Sequence, residues 1–212
     1  MRSGGGSVKV YVKSCTKTGP LPKTAMTAEP RSLLALSRFF FAANTADLTG
    51  AYLELSESLG GSLPAVTDWD EATFCFNRLF VGPRALIAPP YASIYLDGDA
   101  SRLMGTTTLK IRQLFDMLGL SLPWQNSIPD DHVAFELDAL WQLEQALRTT
   151  NSSQLADARD YLRAHLQAWV PAFVAKIQAA PDLHPALLAV SQALVEAVYT
   201  TERVDDEPVG AP

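Results

Sequence analysis

At 212 residues and 23.0 kDa the chain can bury a substantial core as one domain, or as one domain in two lobes, without disulfide staples. Its 48% apolar content includes no uninterrupted run of the ~20 residues needed to span a bilayer, and its two cysteines, Cys15 and Cys75, have no CxxC spacing, which argues against a secreted disulfide scaffold. The formal charge of −6 is unevenly spread: the first 25 residues hold five of the 17 basic residues and none of the 23 acidic ones, so residues 26–212 carry −11, a body poorly suited to nucleic acid and better suited to a basic partner.

Residues 1–25 are expected to form a disordered basic extension, since no apolar stretch follows the positive charges as a signal peptide would require. Met26, which leads directly into the first helical pattern, reads as a start. Leu and Ala, 29 each against 13 Val and five Ile, recur mostly at helical spacing, which predicts an all-α fold with its helical domain over residues 26–203. A first helix or pair of helices runs from about Ser32 to Leu59 and stops at Gly60-Gly61. The next, DWDEATFCFNRLFVG, starts at a cap supplied by Asp68 or Asp70, places Ala72, Phe76, Leu79 and Phe80 on one face, and ends at Gly82-Pro83.

From Gly82 to about Gly105, GPRALIAPPYASIYLDGDASRLMG has no sustained helical period, and Pro89-Pro90 imposes extended backbone. Its apolar residues Leu86, Ile87, Tyr91, Ile94, Tyr95 and Leu96 predict an ordered, packed loop, and loops of this length inside a compact domain are usually functional or disordered. Helices are then expected from about Thr107 to Leu118, carrying Leu109, Ile111, Leu114, Phe115 and Leu118. Another spans about Asp131 to Arg148, with a core stripe of Val133, Leu137, Leu140, Trp141 and Leu147. After the cap-rich NSS come Ser153 to Trp169, a piece broken near Pro171 that runs to Ala180, and Pro185 to Thr200, before a disordered tail at 204–212.

The stretch PDDHVAFELDAL admits several readings. Asp130, Asp131, His132 and Glu136 could serve a metal-dependent all-α enzyme, because His132 and Glu136 share a helix face; yet no second His stands at HExxH spacing, and His165 and His184 lie on separate later helices. Asp130 or Asp131 could simply cap the helix. No P-loop, dinucleotide fingerprint or GxSxG elbow is present in the sequence. The Phe76, Leu79, Phe80 stripe would ordinarily face a core, or it could floor a groove.

NRLFVGPRALIAPPYASIYLDGD, followed by GTTTLKIRQLF and then PDDHVAFELDALWQL, closely resembles the TorD/DmsD/NarJ family of redox-enzyme maturation chaperones, and within it the DmsD-like branch. The likeness is strong over about Phe74 to Leu143; the flanking helices agree in pattern and length. It implies a cytoplasmic, all-helical chaperone with two lobes linked by the Pro-rich loop and no catalytic or metal residues. Such a protein binds the twin-arginine signal peptide of a molybdopterin oxidoreductase of the DMSO reductase family and holds back Tat export until the client's cofactor is loaded. By matching position, the signal-peptide-binding residues implied are Phe76, Leu79, Phe80, Pro90, Tyr91, Ser93, Gly105, Asp131 and His132. Phe76 and Tyr91 stand where close relatives often have tryptophan, the loop LDGDASRLMG is one residue longer, and Ala72, with Glu71 beside it, occupies a position that is often acidic.

A twin-arginine signal offers two guanidinium groups followed by an apolar helix-forming stretch, so its receptor needs carboxylates beside an apolar groove. Asp97, Asp99, Asp131 and Glu136 are the candidates for those arginines. The resemblance further implies contact with Tat translocase components. GTP enters only as a ligand suggested for some family members. A monomer is expected, able to exchange elements into a swapped dimer about the Pro-rich loop or the linker near Leu120 to Ile128.

Overall fold

The apolar stripes become eight helices among residues 28–83, 85–98, 104–120 and 128–200, the parts of the chain described by a computed structural model. In chain order they are α1 (Ala28–Phe40), α2 (Thr45–Ser58), α3 (Trp69–Phe80), α4 (Ser93–Leu96), α5 (Thr106–Leu118), α6 (Val133–Leu147), α7 (Ser153–Gln178) and α8 (Pro185–Tyr199). Among the described residues extended pairing is confined to one antiparallel bridge, between Tyr91 and His132. The expectations for residues 1–25 and 204–212, and the candidate Asp99, lie outside the described residues.

Helix α1 packs on α2 and α6, and α7 on α6 and α8. One apolar cluster runs from Leu33 to Val198, through helices on both sides of the Pro-rich segment. Its centre is aromatic: Phe39 meets Phe76 edge-on at 5.7 Å, Phe40 meets Phe80 at 5.5 Å, and Phe80 meets Phe173 at 5.8 Å. Local chemistry sets several helix ends as the sequence suggests. Asp68 accepts the amides of Asp70 and Glu71 at the start of α3, Gly119 takes a left-handed φ of 66° after α5, and Pro185 opens α8.

Three expectations are corrected. The break near Pro171 does not occur: α7 runs straight through it. Proline leaves the carbonyl four residues back without its helical donor, and here that carbonyl, Gln167 O, accepts from the Tyr199 hydroxyl at 3.4 Å, while Trp169, Val170, Phe173 and Val174 are buried around the site. The Pro-rich segment also contains one helical turn, α4, closed by Tyr95 N and Leu96 N donating to Ala92 O at 2.9 and 3.0 Å. Leu109 is exposed, because the buried face of α5 is Thr107, Thr108, Ile111, Leu114, Phe115 and Leu118.

Candidate functional site

Pro89 and Pro90 have no amide hydrogen, so this part of the Pro-rich segment is held through its carbonyls: the Tyr95 hydroxyl donates to Pro89 O at 3.0 Å and Val133 N to Pro90 O at 2.9 Å. Upstream, Ala88 N donates to Leu79 O of α3 at 3.1 Å; downstream, Ala92 N donates to Asp131 O at 3.0 Å. Together these bonds set Tyr91 opposite His132.

Asp131 is fully buried. Its Oδ2 accepts from Ser93 N at 2.7 Å and its Oδ1 from the Thr108 hydroxyl at 2.8 Å, joining the Pro-rich segment, α5 and the entrance to α6. Asp130, also buried, accepts a hydrogen bond from Arg112 Nε at 2.7 Å on its Oδ2, with Nη2 of the same guanidinium at ion-pair distance, 2.6 Å. Thr108 and Arg112 are one turn apart on α5, so two consecutive aspartates hold two consecutive turns of that helix. Neither aspartate caps α6, which corrects the capping expectation. His132 has the extended φ and ψ of −70° and 134° that a cap position requires, and its Nδ1 accepts from Ala134 N at 3.1 Å.

Glu136 is buried one turn into α6, with Oε1 3.2 Å from His165 Nε2 and Oε2 accepting from Trp169 Nε1 at 3.1 Å. Burial pushes its pKa above the carboxylate range, against the opposing pull of His165 and Trp169. Burial acts to lower the pKa of His165, but the Glu136 bond and charge outweigh it and the net shift is upward. Asp97 accepts from Thr107 N at 3.2 Å and from the Thr107 hydroxyl, capping α5 from the end of α4. Gly105 stands beside that cap, where a Cβ would lie 2.1 Å from Asp97 Oδ2.

Of the acids expected to meet arginines, Asp97, Asp131 and Glu136 are therefore each bonded within the chain. Phe76, Leu79 and Phe80 are core residues, and Leu79 reaches the site only through the carbonyl that receives Ala88 N. The structure brings Pro90, Tyr91, Ser93, Asp131 and His132 together, with Gly105 one turn of α5 from Thr108. At the surface of this corner the half-buried rings of Tyr91 and Phe41 flank His132, at 5.1 and 6.2 Å between centroids, with Phe135 behind at 5.6 Å. The Tyr91 hydroxyl is shifted upward by burial and then by the Asp131 charge.

Phe41 and Thr108 are participants that sequence reasoning missed. Phe41 ends the FFF run at 39–41, two of whose rings turn inward while the third falls just past the end of α1; that run was the available signal. Nothing local in TTT connects Thr108 with Asp131. Asp130, Asp131, His132 and Glu136 do not converge as a ligand set, since each is turned to a different partner, and among the described residues no group of three or more His, Cys, Asp or Glu side chains is arranged to hold a metal ion.

Fold and site together define an all-helical protein whose long inter-helix segment is fastened by a buried polar hub beneath a partly open aromatic corner. Residues 42–175 match the family model described as nitrate reductase delta subunit. The chain is 38% identical over 100 residues to the Tat proofreading chaperone DmsD of Salmonella typhi, covering 47% of this chain and 45% of that protein. It is 35% identical over 107 residues to the chaperone protein TorD of Vibrio cholerae serotype O1, covering 48% and 47%. The chain thus spans about half the length of the curated relatives it matches. In fold it is similar to the crystal structure of a candidate redox enzyme maturation protein from Archaeoglobus fulgidus, with a TM-score of 0.56 and 18% identity over 84% of this chain and 98% of the other. The chain belongs to the nitrate reductase delta subunit family, the TorD/DmsD/NarJ group of redox-enzyme maturation chaperones.

Proposed function

We propose that the protein is a cytoplasmic, non-enzymatic chaperone that binds the twin-arginine signal peptide of a molybdopterin oxidoreductase subunit of the DMSO reductase family and assists its maturation before Tat export. The observation that carries this reading is the joining of Tyr91 and His132, remote in sequence and both inside residues 42–175, into one aromatic corner of a chain whose relatives are named Tat proofreading chaperone and chaperone protein TorD. Aromatic faces with polar edges suit the moderately apolar stretch that follows two arginines. Pro90, Ser93, Gly105 and Asp131 shape this corner in the proposal, and Phe76, Leu79 and Phe80 back it from the core. The −11 charge of residues 26–212 favours a basic ligand over a distance. No helix among the described residues is long and apolar enough to cross a membrane. In this reading the partners are the precursor and Tat translocase components, and the working form is a monomer with an occasional swapped dimer.

Calorimetric titration with the twin-arginine leader encoded beside the gene, and with its Lys-Lys version, tests the reading. The first should bind and the second bind more weakly, because lysine lacks the planar fork of arginine. Failure of every such leader to bind would overturn it.

A further inference from the structure

The Asp131 carboxylate is surrounded by its own chain: Ser93 N on one oxygen, the Thr108 hydroxyl on the other, and no exposed surface. With no exposed surface, it could meet an incoming guanidinium only if the chain that encloses it moved aside. Ser93 is fully buried as well, and what it contributes is its backbone N–H; its hydroxyl has no partner.

His132 has the opposite character. The Ala134 amide can only donate, so the Nδ1 that receives it carries a lone pair, and the proton of the neutral ring sits on Nε2. Phe41, Tyr91 and Phe135 wall the ring. No bond from its Nε2 to another described residue is present, and His132 as a whole keeps 7% of its surface exposed, between the half-buried rings of Tyr91 and Phe41. An Nε2–H is a donor, and an arginine side chain offers no acceptor; the acceptors every peptide carries are its backbone carbonyls.

We propose that His132 binds a backbone carbonyl of the leader through Nε2–H, while Asp131 is a positioning residue that does not touch the arginines and instead locks Ser93 and Thr108 so that Tyr91 and His132 face one ligand. This rests on the signal-peptide function above. It assigns the corner sequence-tolerant affinity and places the discrimination of Arg-Arg from Lys-Lys elsewhere on the acidic body.

The test uses the full chain, the Arg-Arg and Lys-Lys leaders, and a set of Arg-Arg leaders in which single backbone amides are replaced by esters, which weakens the preceding carbonyl as an acceptor. H132N retains a short capping acceptor and should melt near wild type at neutral pH, yet bind about tenfold more weakly for the loss of one hydrogen bond. One ester position should weaken wild type several-fold and leave H132N unchanged. Asp131→Asn and Thr108→Val should weaken binding without altering the ratio of Arg-Arg to Lys-Lys affinity. Thr108→Val, an almost isosteric change at a buried position, keeps the test alive if Asp131→Asn fails to fold. Wild-type affinity for H132N, or an Asp131→Asn variant that erases the Arg-Arg preference while Thr108→Val preserves it, would overturn the assignment. A wild-type protein that binds no leader would instead overturn the function on which it rests.

Discussion

At the scale of single residues, the neutral His132 makes stability depend on pH. Burial holds its pKa down to about 3, from an ordinary 6.5. Between those two values the unfolded chain binds a proton here that the folded chain does not, so stability falls on acidification, by up to ~1.4 kcal/mol per pH unit from this group. His165 acts in the other sense: its folded pKa is raised, so its contribution is present in acid and is lost as pH rises through the folded value. Comparing wild type with H132N separates the two, because asparagine can cap but does not titrate. Thermal melts from about pH 4 to 7 should show a shallower acid loss in the variant. Parallel curves would mean that the ring is not kept neutral by the fold.

At the scale of elements, α5 is fastened at its first turns by side chains from elsewhere: Asp97 on Thr107, Asp131 on Thr108 and Asp130 on Arg112. A methyl group at Gly105 would collide with Asp97 Oδ2, displacing the carboxylate from Thr107. Gly105→Ala should therefore cost about 1 kcal/mol, the usual value of a lost cap. In an Asp97→Ala background the same change should cost much less, giving a clearly non-additive pair. Urea denaturation of the four proteins measures this, and additive losses would argue that Asp97 does not cap α5. The C-terminal helices are fastened differently. Arg163 of α7 pairs with buried Glu144 of α6 at 2.6 Å and also donates to the carbonyls of Ala197, Val198 and Thr200, so one guanidinium joins α6 and α7 and ends α8.

For the whole molecule, the dominant feature is a net charge of −11 over residues 26–212. A field from many dispersed carboxylates attracts Arg-Arg and Lys-Lys leaders alike and is screened by salt, whereas the guanidinium fork acts only at contact. Titrations at rising ionic strength should weaken both leaders in parallel, leaving their affinity ratio nearly constant. A ratio that collapses with salt would place the discrimination in the long-range field.

The sequence by itself determined the all-helical class and many helix limits. Asp68 before α3, Gly119 after α5 and Pro185 at the head of α8 act on amides or dihedrals within a few residues of themselves. It also singled out Tyr91, Asp131 and His132, through the order of three motif blocks. Which way the Phe76, Leu79 and Phe80 stripe faces was left open by its period, and packing against Phe39, Phe40 and Phe173 decided for the core. At Pro171, the carbonyl of Gln167 that loses its helical donor is met by the hydroxyl of Tyr199, from α8, and the surrounding core packs α7 through the proline. The division of labour between Asp131 and His132 was likewise decided by tertiary structure. Adjacent polar residues at a helix start are interchangeable candidates for the cap until Ser93 and Thr108 arrive from remote parts of the chain, and a buried carboxylate is stable where donors come to meet it.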